Sequence, residues 1–185
     1  MAFIIQSGNV VAYCEASDIL DVDQRLWEAN QIQFDNAPDS PATLNDYLED
    51  LAIRATNRVN EKIRASESWR VFMSYTGIDY DINNIPSIDP NLILLRHQDF
   101  TDMCVSKVLS EFVLPKIADF GNPESPELQK IQYYNTKFDE LFSEVTAIWD
   151  WYDVDNSGTI SDSERQTQKP KTRRTRGRRS IGYVR

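Results

Sequence analysis

Leu44-Asn45-Asp46-Tyr47-Leu48-Glu49-Asp50-Leu51-Ala52-Ile53-Arg54-Ala55-Thr56-Asn57-Arg58-Val59-Asn60-Glu61-Lys62-Ile63 is the stretch that decides the fold class. Leu44, Leu48, Leu51, Ala52, Ala55, Val59 and Ile63 recur at the i, i+4, i+7, i+8 spacing that lines one face of a helix. Asp46, Glu49, Asn57, Asn60 and Glu61 fall opposite, on a solvated face. Ser40 and Pro41 supply a capping side chain and a first-turn proline. The pattern predicts a helix from Pro41 to Ser66.

Two further runs carry the same signal. Asp89-Pro90 repeats the cap-plus-proline start. It is followed by Leu92, Ile93, Leu95, Phe100, Met103, Cys104, Val108, Leu109, Phe112 and Val113, whose wide apolar arc predicts a central, buried helix. Pro115 should kink or end it. Beyond the break Gly121-Asn122-Pro123, Ser125-Pro126-Glu127 starts a third helix. Leu128, Ile131, Tyr134, Phe138, Leu141, Phe142, Val145, Ile148 and Trp149 hold helical spacing along it. Three long amphipathic helices with breaks between them predict an all-α bundle.

The connecting segments are less regular. Phe3-Ile4-Ile5 and Val10-Val11-Ala12-Tyr13 flank Gln6-Ser7-Gly8-Asn9, which reads as a small hairpin or one extended arm. Glu15 to Leu20 reads as a short helix. Asp21 to Asp39 is acidic and weakly periodic, a loop with at most one helical turn. Ser68 to Ser87 mixes aromatics with turn residues and reads as a loop with a short strand around Val71 to Tyr75.

Composition bounds the rest. The chain has 185 residues, about one domain's worth. Met1 to Tyr13 is interrupted by polar residues and lacks a basic flank, so it does not read as a signal peptide. No run approaches the ~20 apolar residues of a membrane span. The two cysteines, Cys14 and Cys104, are too few for a disulfide framework, and Cys104 reads as a small core residue made in a reducing cytoplasm.

The net charge of −9 conceals a split. Of 20 basic and 29 acidic residues, nine basic and no acidic ones follow Glu164, so residues 1–164 carry a net −18 and the tail +9. An acidic body argues against duplex DNA as the partner of the main surface. The tail has no apolar periodicity and reads as an extended arm that orders on a partner. Within it, Lys169, Lys171, Arg173, Arg174, Arg176, Arg178 and Arg179 suit phosphates or an acidic protein surface, against the plain alternative of a solvated tail. Ile181, Tyr183 and Val184 suit a partner groove or sheet edge.

One local motif is specific. Asp153 to Glu164 fits the twelve-residue EF-hand calcium loop position by position. Asp153, Asp155 and Ser157 supply oxygens at positions 1, 3 and 5, and Gly158 makes the turn at position 6. Thr159 offers its carbonyl, Ser161 stands at position 9, and Glu164 at position 12 has two oxygens for the ion. Ile160 is the apolar anchor, and Val145, Ile148, Trp149 and Tyr152 would face an incoming helix. The plainer reading is an acidic turn with Asx chemistry. No apolar exit helix and no second hand follow, so an ion here would pin the arm's root rather than open a groove.

Catalytic constellations are missing from the sequence, and a non-enzymatic role is expected. His97 is the only histidine and reads as an ordinary hydrogen-bonded residue. No Cys/His zinc spacing and no glycine-rich phosphate loop occurs.

The order of features resembles a known family. Tyr13-Cys14-Glu15-Ala16-Ser17-Asp18-Ile19-Leu20 opens a short helix, and an acidic loop follows. Next comes the long helix ending in Ile53-Arg54-Ala55-Thr56-Asn57-Arg58-Val59-Asn60-Glu61-Lys62-Ile63. An aromatic loop then leads to Pro90-Asn91-Leu92-Ile93-Leu94-Leu95-Arg96-His97-Gln98-Asp99-Phe100 and on to Val105. From Tyr13 to Trp149 this resembles the head–tail connector, or adaptor, proteins in the neck of tailed bacteriophages. The resemblance implies a structural virion protein, made in the host cytoplasm and assembled at the portal vertex as a typically twelve-fold ring. Its implied partners are the portal protein and the next neck or tail-terminator protein, with DNA passing through the channel unread. The calcium-type loop and the basic arm depart from the family pattern. The implied organisation is a connector domain over residues 1–152, a calcium loop over 153–164 and a basic arm over 165–185. Two other readings stand beside it: a calcium-binding interaction or regulatory protein outside the virion, and a small nucleic-acid-binding protein that uses the arm.

Overall fold

The computed structural model describes residues 3–23, 44–75 and 85–161. The expected Ser40-Pro41 helix start, the segment from Gln24 to Asp39, Glu164 and the whole basic arm lie outside the described residues.

The N-terminal hairpin forms. β1 (Ile4–Gln6) pairs antiparallel with β2 (Asn9–Ala12), with Ile5 opposite Val10 and Gln6 opposite Asn9. Ser7 and Gly8 between them both have positive φ, 53° and 84°, the backbone that two-residue hairpins require and glycine adopts freely. α1 (Ala16–Val22) follows, and the Asp18 carboxylate accepts the Glu15 N–H at 2.9 Å.

α2 (Leu44–Ala65) buries Tyr47, Leu48, Leu51, Ala52, Ala55, Thr56, Val59 and Ile63, which is the stripe the sequence shows plus Tyr47 and Thr56 but without Leu44, which is exposed at the first turn. Ser66 then turns the chain. Its hydroxyl oxygen accepts the Trp69 N–H at 3.2 Å, the contact of an N-terminal cap, and starts α3 (Glu67–Tyr75). The expected strand at 71–75 is therefore a helix. Trp69, Phe72 and Met73 stand three and four residues apart on its buried side, a helical spacing obscured by the turn residues that follow.

The central helix starts later than expected. Pro90–Leu92 makes only a short 3₁₀ turn, capped by the Asp89 carboxylate on the Asn91 N–H. The chain then runs extended, because Leu92 and Leu94 pair antiparallel with the segment after the last helix: Leu94 N–H reaches Trp151 O and Asp153 N–H reaches Leu92 O, both at 2.9 Å. Arg96, at φ 59°, turns the chain into α4 (His97–Lys107). A π-helical segment, Val108–Val113, continues α4, and a 3₁₀ turn, Leu114–Lys116, closes it. Leu114 N–H bonds Leu109 O, five residues back, so the helix widens just ahead of Pro115, which has no N–H to give.

α5 (Pro126–Ala147) begins at Ser125-Pro126 as the sequence indicates. It ends before the expected Ile148 and Trp149: Ile148 is extended and exposed, while Trp149 is buried outside the helix. Trp151 explains the stop, since its indole N–H donates to Val145 O at 2.9 Å, satisfying a last-turn carbonyl that the helix leaves open.

The described part is thus mostly helical with a small two-stranded sheet, and the three long helices become two helices of 22 residues around a composite central run. α5 packs on α4, α4 on α2, and α2 on α1 and β2. No described helix is long and apolar enough to cross a membrane. Aromatic rings form a continuous chain through the core. Phe72 stacks on Trp149 at 4.7 Å, Trp149 meets Trp151 at 5.1 Å, and Trp151 meets Phe100 edge-on at 4.8 Å. Phe100 in turn meets Tyr13 at 5.1 Å. Replacing Trp151 by Ala removes the middle of this chain and the cap on Val145. It should destabilise the protein by about 3–5 kcal/mol, read as a fall in the urea midpoint with an unchanged slope.

Candidate metal centre

The calcium-type loop is carried by the segment that follows α5. Trp151 is fully buried, and Tyr152 is nearly so. The Tyr152 hydroxyl accepts the Asp89 N–H at 3.2 Å, and burial pushes its pKa up. These anchors, with the pairing to Leu92 and Leu94, fix the backbone of Asp153.

Asp153 is only 1% exposed. Its carboxylate closes the turn: one oxygen accepts the Ser157 N–H at 3.1 Å and the other the Gly158 N–H at 2.7 Å. Asp155 also accepts the Ser157 N–H at 3.1 Å, and its carboxyl is held below the usual range, first by the Ser157 side chain and then by that of Asp153. The Ser157 hydroxyl donates to Thr159 O at 2.9 Å. Asn156 and Gly158 have positive φ, 55° and 79°. A Cβ at Gly158 would meet nothing within 4 Å, so glycine is needed there for its backbone and not for space.

Positions 1, 3 and 5 of the motif are therefore brought together, and position 6 makes the sharp turn. Thr159 O, the position-7 oxygen, lies beside Ser157. Ser161 ends the described part, and Glu164 lies outside it, as do Lys169, Lys171, Arg173, Arg174, Arg176, Arg178, Arg179, Ile181, Tyr183 and Val184 of the arm. Among the described residues no three His, Cys, Asp or Glu side chains gather in a metal-holding group. The donor set is all oxygen, which suits a hard cation such as calcium. One expectation is corrected: no helix runs into the loop. α5 stops at Ala147 and the approach is extended, because the aromatic residues 149, 151 and 152 are spent on the core and on the pairing with the 92–94 segment.

Elsewhere the sequence reading of His97 agrees with its position: a ring nitrogen lies 2.9 Å from Ile93 O and the ring meets Phe3 edge-on. Two arrangements escaped it. Arg96 holds Asp150 through two nitrogens, at 2.8 and 3.3 Å, beside the root of the loop. Cys14 and Cys104 are in contact at 3.2 Å. Neither pair has a local signature, since the partners are 54 and 90 residues apart. No family model, curated protein or solved structure matches the chain.

The turn does not treat its two aspartates alike. Asp153→Ala leaves the Gly158 N–H without its acceptor and the Ser157 N–H with Asp155 alone, and should cost about 1–3 kcal/mol in urea unfolding without added metal. Asp155→Ala, at an exposed position whose N–H partner keeps Asp153, should leave the midpoint almost unchanged.

Proposed function

We propose that the chain is a structural subunit of a phage neck, an adaptor that joins a ring beneath the portal and extends the DNA channel. The observation that carries the reading is the order of elements: a short α1, the long α2, the composite central run and the long α5 follow the order of the connector resemblance, with α3 added where that has an aromatic loop. Large apolar side chains left on the surface support it. Phe120 is 69% exposed and Tyr133 62%, and such residues suit contacts with neighbouring copies. A closed ring of head-to-tail contacts needs two different faces per subunit, one for each neighbour.

The charge split supports a portal-docking arm. A +9 tail on a −18 body repels itself and gains most against an acidic partner, where arginine's planar fork matches carboxylates. Ile181, Tyr183 and Val184 would fix its position. Mixed with the portal protein of the same phage, the chain should join an assembly measurable by mass. Deleting residues 169–185 should weaken that association while the helical body stays folded, and replacing Ile181, Tyr183 and Val184 by Ser should weaken it too. A chain that stays monomeric beside assembled portal at every salt concentration refutes the neck reading. Normal joining by the triple-serine variant, with steeply salt-dependent DNA binding by the arm, turns the arm into a nucleic-acid device.

A second proposal rests on the Asp153 turn: calcium binds there and ties the arm's root to the body. Three carboxylates, Asp153, Asp155 and Glu164, and no paired hand place the affinity toward the weak side of the roughly 10⁻⁸ to 10⁻³ M range of such loops. Calorimetry should show calcium uptake by the intact chain and its near loss in Glu164→Gln. Equal uptake by both refutes the assignment.

A further inference from the structure

Cys14 and Cys104 belong to elements far apart in sequence, and the fold brings their sulfurs to 3.2 Å with both side chains fully buried. Cys14 lies between β2 and α1, and Cys104 lies in the middle of α4. Both are free thiols. A disulfide has its sulfurs about 2.05 Å apart, so bond formation asks for roughly 1.2 Å of approach.

The backbone around the pair is fixed from both sides. Tyr13 N–H donates to the Thr56 hydroxyl of α2 at 3.0 Å, and the Thr101 hydroxyl of α4 donates to Tyr13 O at 2.7 Å. The residue before Cys14 is thus held between the two helices, and the residue after it by Asp18. Cys104 is positioned by its own contacts, 3.5 Å to the Thr56 hydroxyl and 3.5 Å to Ala52 O. The two sulfurs are already in direct contact.

We infer that Cys14 and Cys104 are a built-in site of oxidative modification, a dithiol that closes into an intrachain disulfide and staples the hairpin–α1 segment to α4. This does not depend on the neck reading. With hydrogen peroxide as the oxidant, one thiol gives up its proton and its thiolate attacks a peroxide oxygen, the O–O bond breaks, and a sulfenic acid and a hydroxide result, the hydroxide taking up that proton as water. The second thiol displaces the sulfenic hydroxyl as a second water and forms the S–S bond. Two thiols lose two protons and two electrons, and one peroxide takes them up to become two waters.

Burial sets the rate. The Cys14 thiol is held protonated, first by its contact with Cys104 and then by desolvation, so attack awaits a local opening of the N-terminal segment. The closed bridge is shielded from reductant for the same reason. It spans 90 residues, a long loop whose closure constrains the unfolded chain strongly.

The full chain is treated with peroxide over a series of temperatures up to just below its unfolding midpoint, then denatured, alkylated and mapped by peptide mass, which keeps methionine oxidation separate. The expected product is a single chain in which the Cys14 and Cys104 peptides are joined, lighter by two hydrogens and resistant to alkylation until reduced. Its thermal midpoint should rise by on the order of 10 °C over the reduced form. Cys14→Ala and Cys104→Ala should each abolish the rise, and agreement between the two guards against a folding defect in either. Thiols that stay alkylatable throughout, separate sulfinic acids, or bridges between chains overturn the inference. A joined product whose midpoint is unchanged or lower overturns the staple.

Discussion

The short antiparallel pairing between Leu92–Leu94 and Trp151–Asp153 is the constraint on which the rest depends. Two backbone hydrogen bonds, Leu94 N–H to Trp151 O and Asp153 N–H to Leu92 O, tie the entry of α4 to the exit of α5. The pairing is brief, and its energy comes mostly from what it seats. Trp149, Trp151 and Tyr152 are delivered into the core, where they meet Trp69, Phe72 and Phe100. Aromatic contacts of this kind add about 0.5–1.5 kcal/mol per pair beyond the area they bury. Arg96 and Asp150 close the outer side with a forked ion pair at an incompletely exposed site. That geometry raises the Arg96 pKa, chiefly through its hydrogen bonds to Asp150.

The same pairing explains where the sequence misleads. Asp89-Pro90 has every local feature of a helix start, and Leu92, Ile93 and Leu95 continue a plausible apolar arc. Ile93 is buried by strand pairing instead, and Leu95 is left outside. At the other end, Ile148 and Trp149 fit the phase of α5, but the indole of Trp151 captures Val145 O and the chain straightens. In the first a non-local pairing overrides a local propensity, and in the second a contact six residues back along the chain ends the helix. α2 and most of α5 were legible because each carries one apolar stripe and one polar face, so periodicity alone settles them. α3 was hidden by Gly77 and Pro86 downstream, although Ser66 followed three residues later by Trp69 carried its cap.

The candidate loop was legible for the opposite reason. All its ligands lie within twelve residues, and the turn is built from local hydrogen bonds of Asp153 and Asp155 to backbone N–H groups. Its mounting was not legible, because the pairing with the 92–94 segment is set by residues some sixty positions away. The cysteine pair is the extreme case. Nothing in the sequence around Cys14 or Cys104 refers to the other, and only the placement of Tyr13 between Thr56 and Thr101 brings them together.

The turn also separates two roles that the motif runs together. A buried carboxylate needs compensation, and Asp153 accepts two N–H groups that supply part of it. Those bonds shape the turn, so Asp153, Asp155 and Gly158 are accounted for by backbone geometry alone. Glu164 lies outside the described residues, and it is the calcium reading that gives its place at position 12 a role. The acidic-turn reading and the calcium reading therefore predict the same structure from Asp153 to Gly158. They diverge at Glu164, where neutralising the side chain leaves an Asx turn intact but removes a bidentate ligand. The shape of the turn is common to both readings, so it is the Glu164→Gln comparison that separates them.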